Sequence, residues 1–247
     1  MRRFNFGAAA VMVAAAAASV GCAGTTQSVQ AGGSPAVAPT SSPVAGSVGA
    51  DKLHGLQDYI TGSPIAQMYR RAPETSLSHL ASAPNLAGVV TGTVTRVSKS
   101  GLDHFEAFPG QSAAPNGADL SEVGVNIEVS VASTSARTNA HRGAKIGTTI
   151  TVRLPIWIGQ PENASSADTA YARFEPFAPI GAQVTVLVPA NPPLADGSVV
   201  VDSTALFFSA GTDGEVVAAD RALQPIVKGG HKAAIDNVAR TAVVPAR

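Results

Sequence analysis

The chain predicts a mainly β fold, a small antiparallel barrel or, as the alternative, a two-sheet sandwich, behind a short helical prelude. Three observations carry this. Apolar residues alternate with polar ones in separate segments, as in Val125, Ile127, Val129 and Val131 against Asn126, Glu128 and Ser130. No helical pattern of crossover length is read between those segments. Asp196-Gly197 and Asp213-Gly214 supply hairpin turn signals in the C-terminal part.

Taken in order, the first 21 residues read as a signal. Arg2 and Arg3 form a short positive region, and Gly7 to Val20 is an apolar run too short for the roughly 20 residues that a permanent membrane span requires. Phe4-Asn5-Phe6 does not continue the adjacent arginines as a twin-arginine signal would, so export by the general secretory route is expected. The run ends in Ser19-Val20-Gly21-Cys22, and Cys22 is the one cysteine of 247 residues. This tetrad resembles the lipobox of bacterial lipoproteins, departing from it at Ser19, where leucine is usual. The resemblance implies cleavage before Cys22, a diacylglyceryl group on its thiol and attachment to the outer face of the cell membrane. Each buried methylene contributes about 0.8 kcal/mol, so two acyl chains hold a protein stably without a basic patch. A lone unmodified thiol in an oxidising compartment would be a liability.

Residues 22–50 are small, uncharged and interrupted by Pro35, Pro39 and Pro43, which reads as a disordered tether spanning roughly 30 Å. Residues 51–83 read as the helical prelude. Leu53, Leu56 and Ile60 fall at helical spacing behind Asp51 as N-cap and before Gly62 as terminator. Ser63-Pro64 opens a second helix running to Arg71, and a third covers about Leu77 to Ala83, before Pro84.

Residues 84–228 read as the β domain. Val89 to Val97 has high β propensity, with Gly92 marking a bulge or a sharp bend. Ile150, Val152 and Leu154 alternate with Thr149, Thr151 and Arg153, and Val184, Val186 and Val188 form a further series. Residues 199–208 and 215–218 give two or three more strands, while 98–122 and 155–180 read as loops. Residues 229–247 are a tail with a short helix. The succession VVTGTV, VNIEVSV, GTTITVRLP and PIGAQVTVLVP resembles small exported OB-like β-barrel domains of lipoproteins from high-GC Gram-positive bacteria. That resemblance spans roughly residues 80 to 218 and implies a fold more than an activity.

Composition narrows the partners. With 17 basic and 17 acidic residues there is no basic footprint for nucleic acid, and 5% aromatic content leaves little for a stacking platform. One cysteine excludes an intramolecular disulfide, so a hydrophobic core must stabilise the domain. The densest polar cluster, Asp103-His104-Phe105-Glu106, offers metal-ligating atoms but reads first as a solvated loop. His54, His79, His141 and His231 have no ligand spacing, and neither a G-x-S-x-G elbow nor a phosphate-binding glycine loop is present. No catalytic residue and no cofactor are expected. Ile156-Trp157-Ile158 is an apolar run that either closes the core or forms a recognition patch, and Asn163-Ala164-Ser165 matches a glycosylation acceptor by coincidence. The expected role is a noncatalytic binding or interaction module, held to the membrane through Cys22. The alternatives are a carrier of a small apolar ligand or lipid and, more distantly, an envelope hydrolase.

Overall fold

The computed structural model describes residues 48–63, 65, 76–105, 120–136, 145–160 and 163–243. The leader, the lipobox with Cys22, the tether as far as residue 47 and most of the second expected helix lie outside these residues. Among the described residues no helix is long and apolar enough to cross a membrane.

Two helices open the domain, α1 (Ala50–Gly62) and α2 (Leu77–Ser82). In α1, Leu53, Leu56 and Ile60 are buried as their spacing predicts. Its N-cap, however, is Gly49 rather than Asp51, which lies in the first turn and faces the positive end of the helix dipole. Val48 is already part of the hydrophobic core, so the ordered chain begins ahead of the expected boundary at residue 51. Helix α2 is capped by Ser76, whose hydroxyl accepts from the His79 amide.

The sheet has seven strands: β1 (Leu86–Phe105), β2 (Leu120–Ala136), β3 (Thr149–Gly159), β4 (Gln183–Pro189), β5 (Val199–Val200), β6 (Leu206–Ser209) and β7 (Val216–Ala218). Their spatial order is β5-β3-β2-β1-β4-β6-β7. Every pairing is antiparallel except β3 with β5. Strand β1 is long enough to pair with β2 along its whole length and with β4 along its first half. Three register shifts against β2 bend it, one of them at Gly92. A Cβ on Gly92 would sit 2.1 Å from the Ser130 carbonyl oxygen, so only glycine permits that approach of the two backbones.

Three further helices complete the domain: α3 (Ala164–Phe174) between β3 and β4, and α4 (Gln224–Val227) and α5 (Lys232–Val243) after β7. The expected loop at 155–180 is therefore the end of β3 followed by α3 and a 3₁₀ turn. Ala167 and Phe174 bury one face of α3, and the Tyr59 ring of α1 meets Phe174 edge-on at 5.7 Å between centroids. The expected loop at 98–122 is likewise partly strand, because β1 continues to Phe105 and pairs with Leu120 to Val123. Asp103 and His104 thus belong to β1, and Glu106 lies outside the described residues.

The domain is mainly β, as expected, but the antiparallel barrel is not what forms. The sheet is mixed, and its ladders leave β5 and β7 as edges. The stretches 199–208 and 215–218, expected to give two or three strands, give three, and β5 is separated from β6 at Ser203–Ala205 by a 3₁₀ turn that Asp202 caps through the Thr204 amide. Alternation reports that one face of a strand is buried, and it carries no information about closure. The sheet is nonetheless curled rather than flat. Five strand spacings of about 4.8 Å separate β5 from β6 in a flat sheet, roughly 24 Å. The six residue steps from Val200 to Leu206 reach at most about 20–22 Å even when extended.

The concave face holds the core. Val125, Ile127, Val129, Val131, Val152, Leu154, Val184, Val186 and Val188 are all buried, and Ile150 is half-buried against them. Each fully buried side chain of this size stabilises by about 1.5–3 kcal/mol. On the opposite face, Thr91 lies across from Thr185, and the Thr185 hydroxyl donates to Asp236 of α5. Helix α5 covers this face with Lys232 bound to Asp236 at 2.5 and 2.6 Å, and with Arg240 donating to Ser133 at 2.8 Å. Burial lowers the pKa of Lys232, and Asp236 opposes that shift. The edge strand β7 is shielded by side-chain amides: Gln224 bonds the Ala218 amide and the Val216 carbonyl, while Gln57 of α1 donates to the Ala218 carbonyl.

Candidate functional site

The sequence-selected residues do not assemble into one site. Cys22 is outside the described residues, as are His141 and Glu106. Among the described residues no three His, Cys, Asp or Glu side chains converge as metal ligands. His231 is exposed, with one ring nitrogen 3.2 Å from the Asp213 carbonyl oxygen. The Ile156-Trp157-Ile158 run divides: Ile156 is buried in the core, whereas Trp157 and Ile158 are half-exposed and line an open groove against α1 and α3. Asn163 immediately precedes α3.

A different place has the character of a binding site. Where the start of β2 and the middle of β3 approach α1, α2 and the 200–205 segment, they line a partly open cavity of about 320 Å³. That is at the lower end of the range for small-molecule pockets. Its walls are mainly apolar, with Ile60, Leu80, Leu86, Leu154, Leu187 and Val201 contributed by separate elements. The polar groups are few: Glu122 from β2, Asn85 and Asn191, and the turn residues Asp202, Ser203 and Thr204.

Glu122 is the unusual member. It is 8% exposed, it follows the buried Ser121 and it precedes the apolar series of β2. No hydrogen bond or ion pair joins its carboxyl to another described residue. Loss of hydration penalises the charged form, and burial pushes its pKa up to about 7. A carboxyl poised near neutrality inside an apolar cavity is a marker of functional sites. Asp202 differs, because its Oδ1 accepts from the Thr204 amide at 2.9 Å and from the Thr204 hydroxyl.

A second buried polar contact, outside the cavity lining, is concealed by the alternation of β3. Arg153 stands in a position expected to face solvent, yet it is 4% exposed. Its guanidinium donates to Asn126 at 3.2 Å and to Asp196 at 2.6 Å. Asp196 also accepts from the amide and hydroxyl of Ser198, and these bonds, with Arg153, hold its pKa below the usual range. Gly197 provides the positive φ of 80° that this turn requires. The turn thereby fixes the approach to β5 and to the 200–205 wall.

Glu122 was not identifiable as a site residue from the sequence. A single acid at the head of an apolar alternation looks like the last solvated residue of a loop. Comparison of the chain with family models, with characterised proteins and with solved structures returns no match.

Proposed function

We propose that this chain is an exported lipoprotein, anchored through Cys22 to the outer face of the cell membrane, whose domain holds a small and mostly apolar ligand. The observation that carries the ligand is the 320 Å³ cavity with apolar walls and the buried carboxyl of Glu122 within it. Pockets of this kind use a large apolar surface for affinity and a few polar groups for orientation. A purely structural cavity gains nothing from an acid whose desolvation costs free energy. The anchor rests on the sequence of the leader and lipobox.

We read the curled sheet as an OB-like barrel left open at residues 201–205. Three features support this: β1 serves both halves of the sheet, α3 lies between β3 and β4, and β3 runs parallel to β5. The interaction module, first among the expectations from the sequence, becomes the second reading, favoured by the partly exposed Trp157 and Ile158 in their groove.

Native mass spectrometry of the intact chain purified from its own host tests the ligand directly. The expected result is a mass excess of a few hundred daltons beyond the lipid anchor that disappears on denaturation. A mass accounted for by the processed, lipidated polypeptide alone, together with no uptake of added apolar compounds, would contradict the binding role. Labelling with a fatty-acid analogue tests the anchor: the wild type should be labelled and Cys22→Ala should not, whereas equal labelling would remove the lipoprotein reading.

A further inference from the structure

We infer that the ligand of this cavity carries a positively charged amine on an apolar body, and that the Glu122 carboxylate is its counter-ion; this rests on the ligand-binding reading above. The two ionisable residues among those that line the cavity are both acids, Glu122 and Asp202. The wall includes no lysine, arginine or histidine among the described residues. Asp202 already serves its own turn, with Oδ1 held by the Thr204 amide and hydroxyl. Glu122 has no such commitment.

The surroundings of Glu122 agree with this. In the β2–β3 ladder it is paired with Ile158, which brings no charge. The nearest guanidinium on β3, that of Arg153, is engaged by Asn126 and Asp196. From α1 the wall offers Ile60 and Ser63, from α2 Leu80, and from the 200–205 segment Asp202. Among the described residues of these elements no cation answers the carboxylate.

Ligand chemistry follows from that balance. A carboxylate or phosphate would bring like charge against two acids in a poorly hydrated space, where repulsion is weakly screened. An uncharged apolar molecule would complete the desolvation of Glu122 and leave it without a partner, which costs more than leaving it wet. An ammonium group supplies both the opposite charge and hydrogen-bond donors, and it returns the carboxyl to its ionised form. The apolar walls then take the body of the molecule.

Three water-soluble probes with a matched body test this: cyclohexylmethylamine, cyclohexylmethanol and cyclohexanecarboxylate. Each is titrated calorimetrically into the intact chain in phosphatidylcholine nanodiscs, with empty nanodiscs as the blank. At pH 8 the amine should bind at least about ten-fold more tightly than the alcohol, and the carboxylate most weakly. Lowering the pH to 5 protonates Glu122 but not the amine, whose pKa is near that of lysine, about 10.4. The amine should then lose at least about ten-fold in affinity, while the alcohol should lose none. In Glu122→Gln the amine should fall to the level of the alcohol. Should that variant fail to fold, the pH series on the wild type decides alone. Equal affinities for amine and alcohol, or an amine preference that survives in Glu122→Gln, would overturn the inference while leaving a ligand cavity. Binding of none of the three would overturn the ligand-binding reading itself, and this inference with it.

Discussion

Two largely buried carboxyl groups, Asp236 on α5 and Glu122 on β2, are treated in opposite ways. Asp236 meets the Lys232 ammonium at 2.5 and 2.6 Å and receives the Thr185 hydroxyl, so its charge is matched within the layer between helix and sheet. Around it, Arg240 reaches Ser133, and the hydroxyls of Ser133 and Thr91 lie 2.5 Å apart. Glu122 has similar burial and no such partner among the described residues, and it faces a cavity instead of a packed layer. The contrast teaches that the fold can satisfy a buried acid with its own groups. Where it does not, the empty volume beside the acid supplies the reason, because a ligand can do so.

The largest expected effect comes from breaking the satisfied side. Asp236→Ala leaves the Lys232 ammonium buried without its partner, and loss of one member of such a pair costs about 3–5 kcal/mol. Urea denaturation at pH 7 measures this. A loss below about 1 kcal/mol would show that water replaces the carboxylate and that the two acids are less different than the geometry indicates.

A core truncation calibrates that figure. Ile127 is 1% exposed in the concave face, and Ile127→Ala should cost about 2–5 kcal/mol by the same denaturation assay. Its neighbour Ser130 is only half-buried, and Ser130→Ala should change stability by less than about 1 kcal/mol. Equal losses at the two positions would contradict the assignment of faces in β2. Arg240→Ala lies between these values. It removes the bond to Ser133 at the margin of the α5 layer, and a loss of about 1–2 kcal/mol is expected. No change would place the polar network's strength wholly in Lys232 and Asp236.

Much of the architecture was legible in the chain because it depends on local period. The apolar series of β2, β3 and β4 requires one buried face whatever the neighbours are, and the spacing of Leu53, Leu56 and Ile60 requires a helix. Helix α3 was legible in principle, since Ala167, Ala170, Tyr171 and Phe174 follow helical spacing behind Asn163. Its small residues give a weak apolar signal, so the region reads as loop. The position of the break at residues 203–205 was not legible, because a strand that changes partners and a strand interrupted by a capped turn share one alternation.

The site was hidden for a different reason. Burial of Glu122 is set by α1, α2 and the 200–205 segment, all remote in sequence, and nothing in the order Ser121-Glu122-Val123 encodes their arrival. Arg153 was concealed in the same way: its alternation with Val152 and Leu154 points it outward, and the turn at Asp196 then covers it. Periodicity reads which face a residue occupies. It does not read what later folds over that face.

The central claim, that Glu122 is a buried carboxyl without an internal counter-charge, is tested most directly by the pH dependence of stability in the wild type and in Glu122→Gln. In the unfolded chain a glutamate loses its proton near pH 4.5, whereas in the folded domain it keeps the proton to about pH 7. Between those values the folded state binds more protons than the unfolded one, so stability falls as pH rises, by about 1.4 kcal/mol per unit. The difference between Glu122→Gln and the wild type should therefore grow in favour of the glutamine variant from about pH 4.5 to pH 7, reaching roughly 3 kcal/mol, and then stay constant to pH 8. A difference that is flat across this interval, or that turns in favour of the wild type as pH rises, would show a carboxylate already stabilised within the fold and would contradict the account.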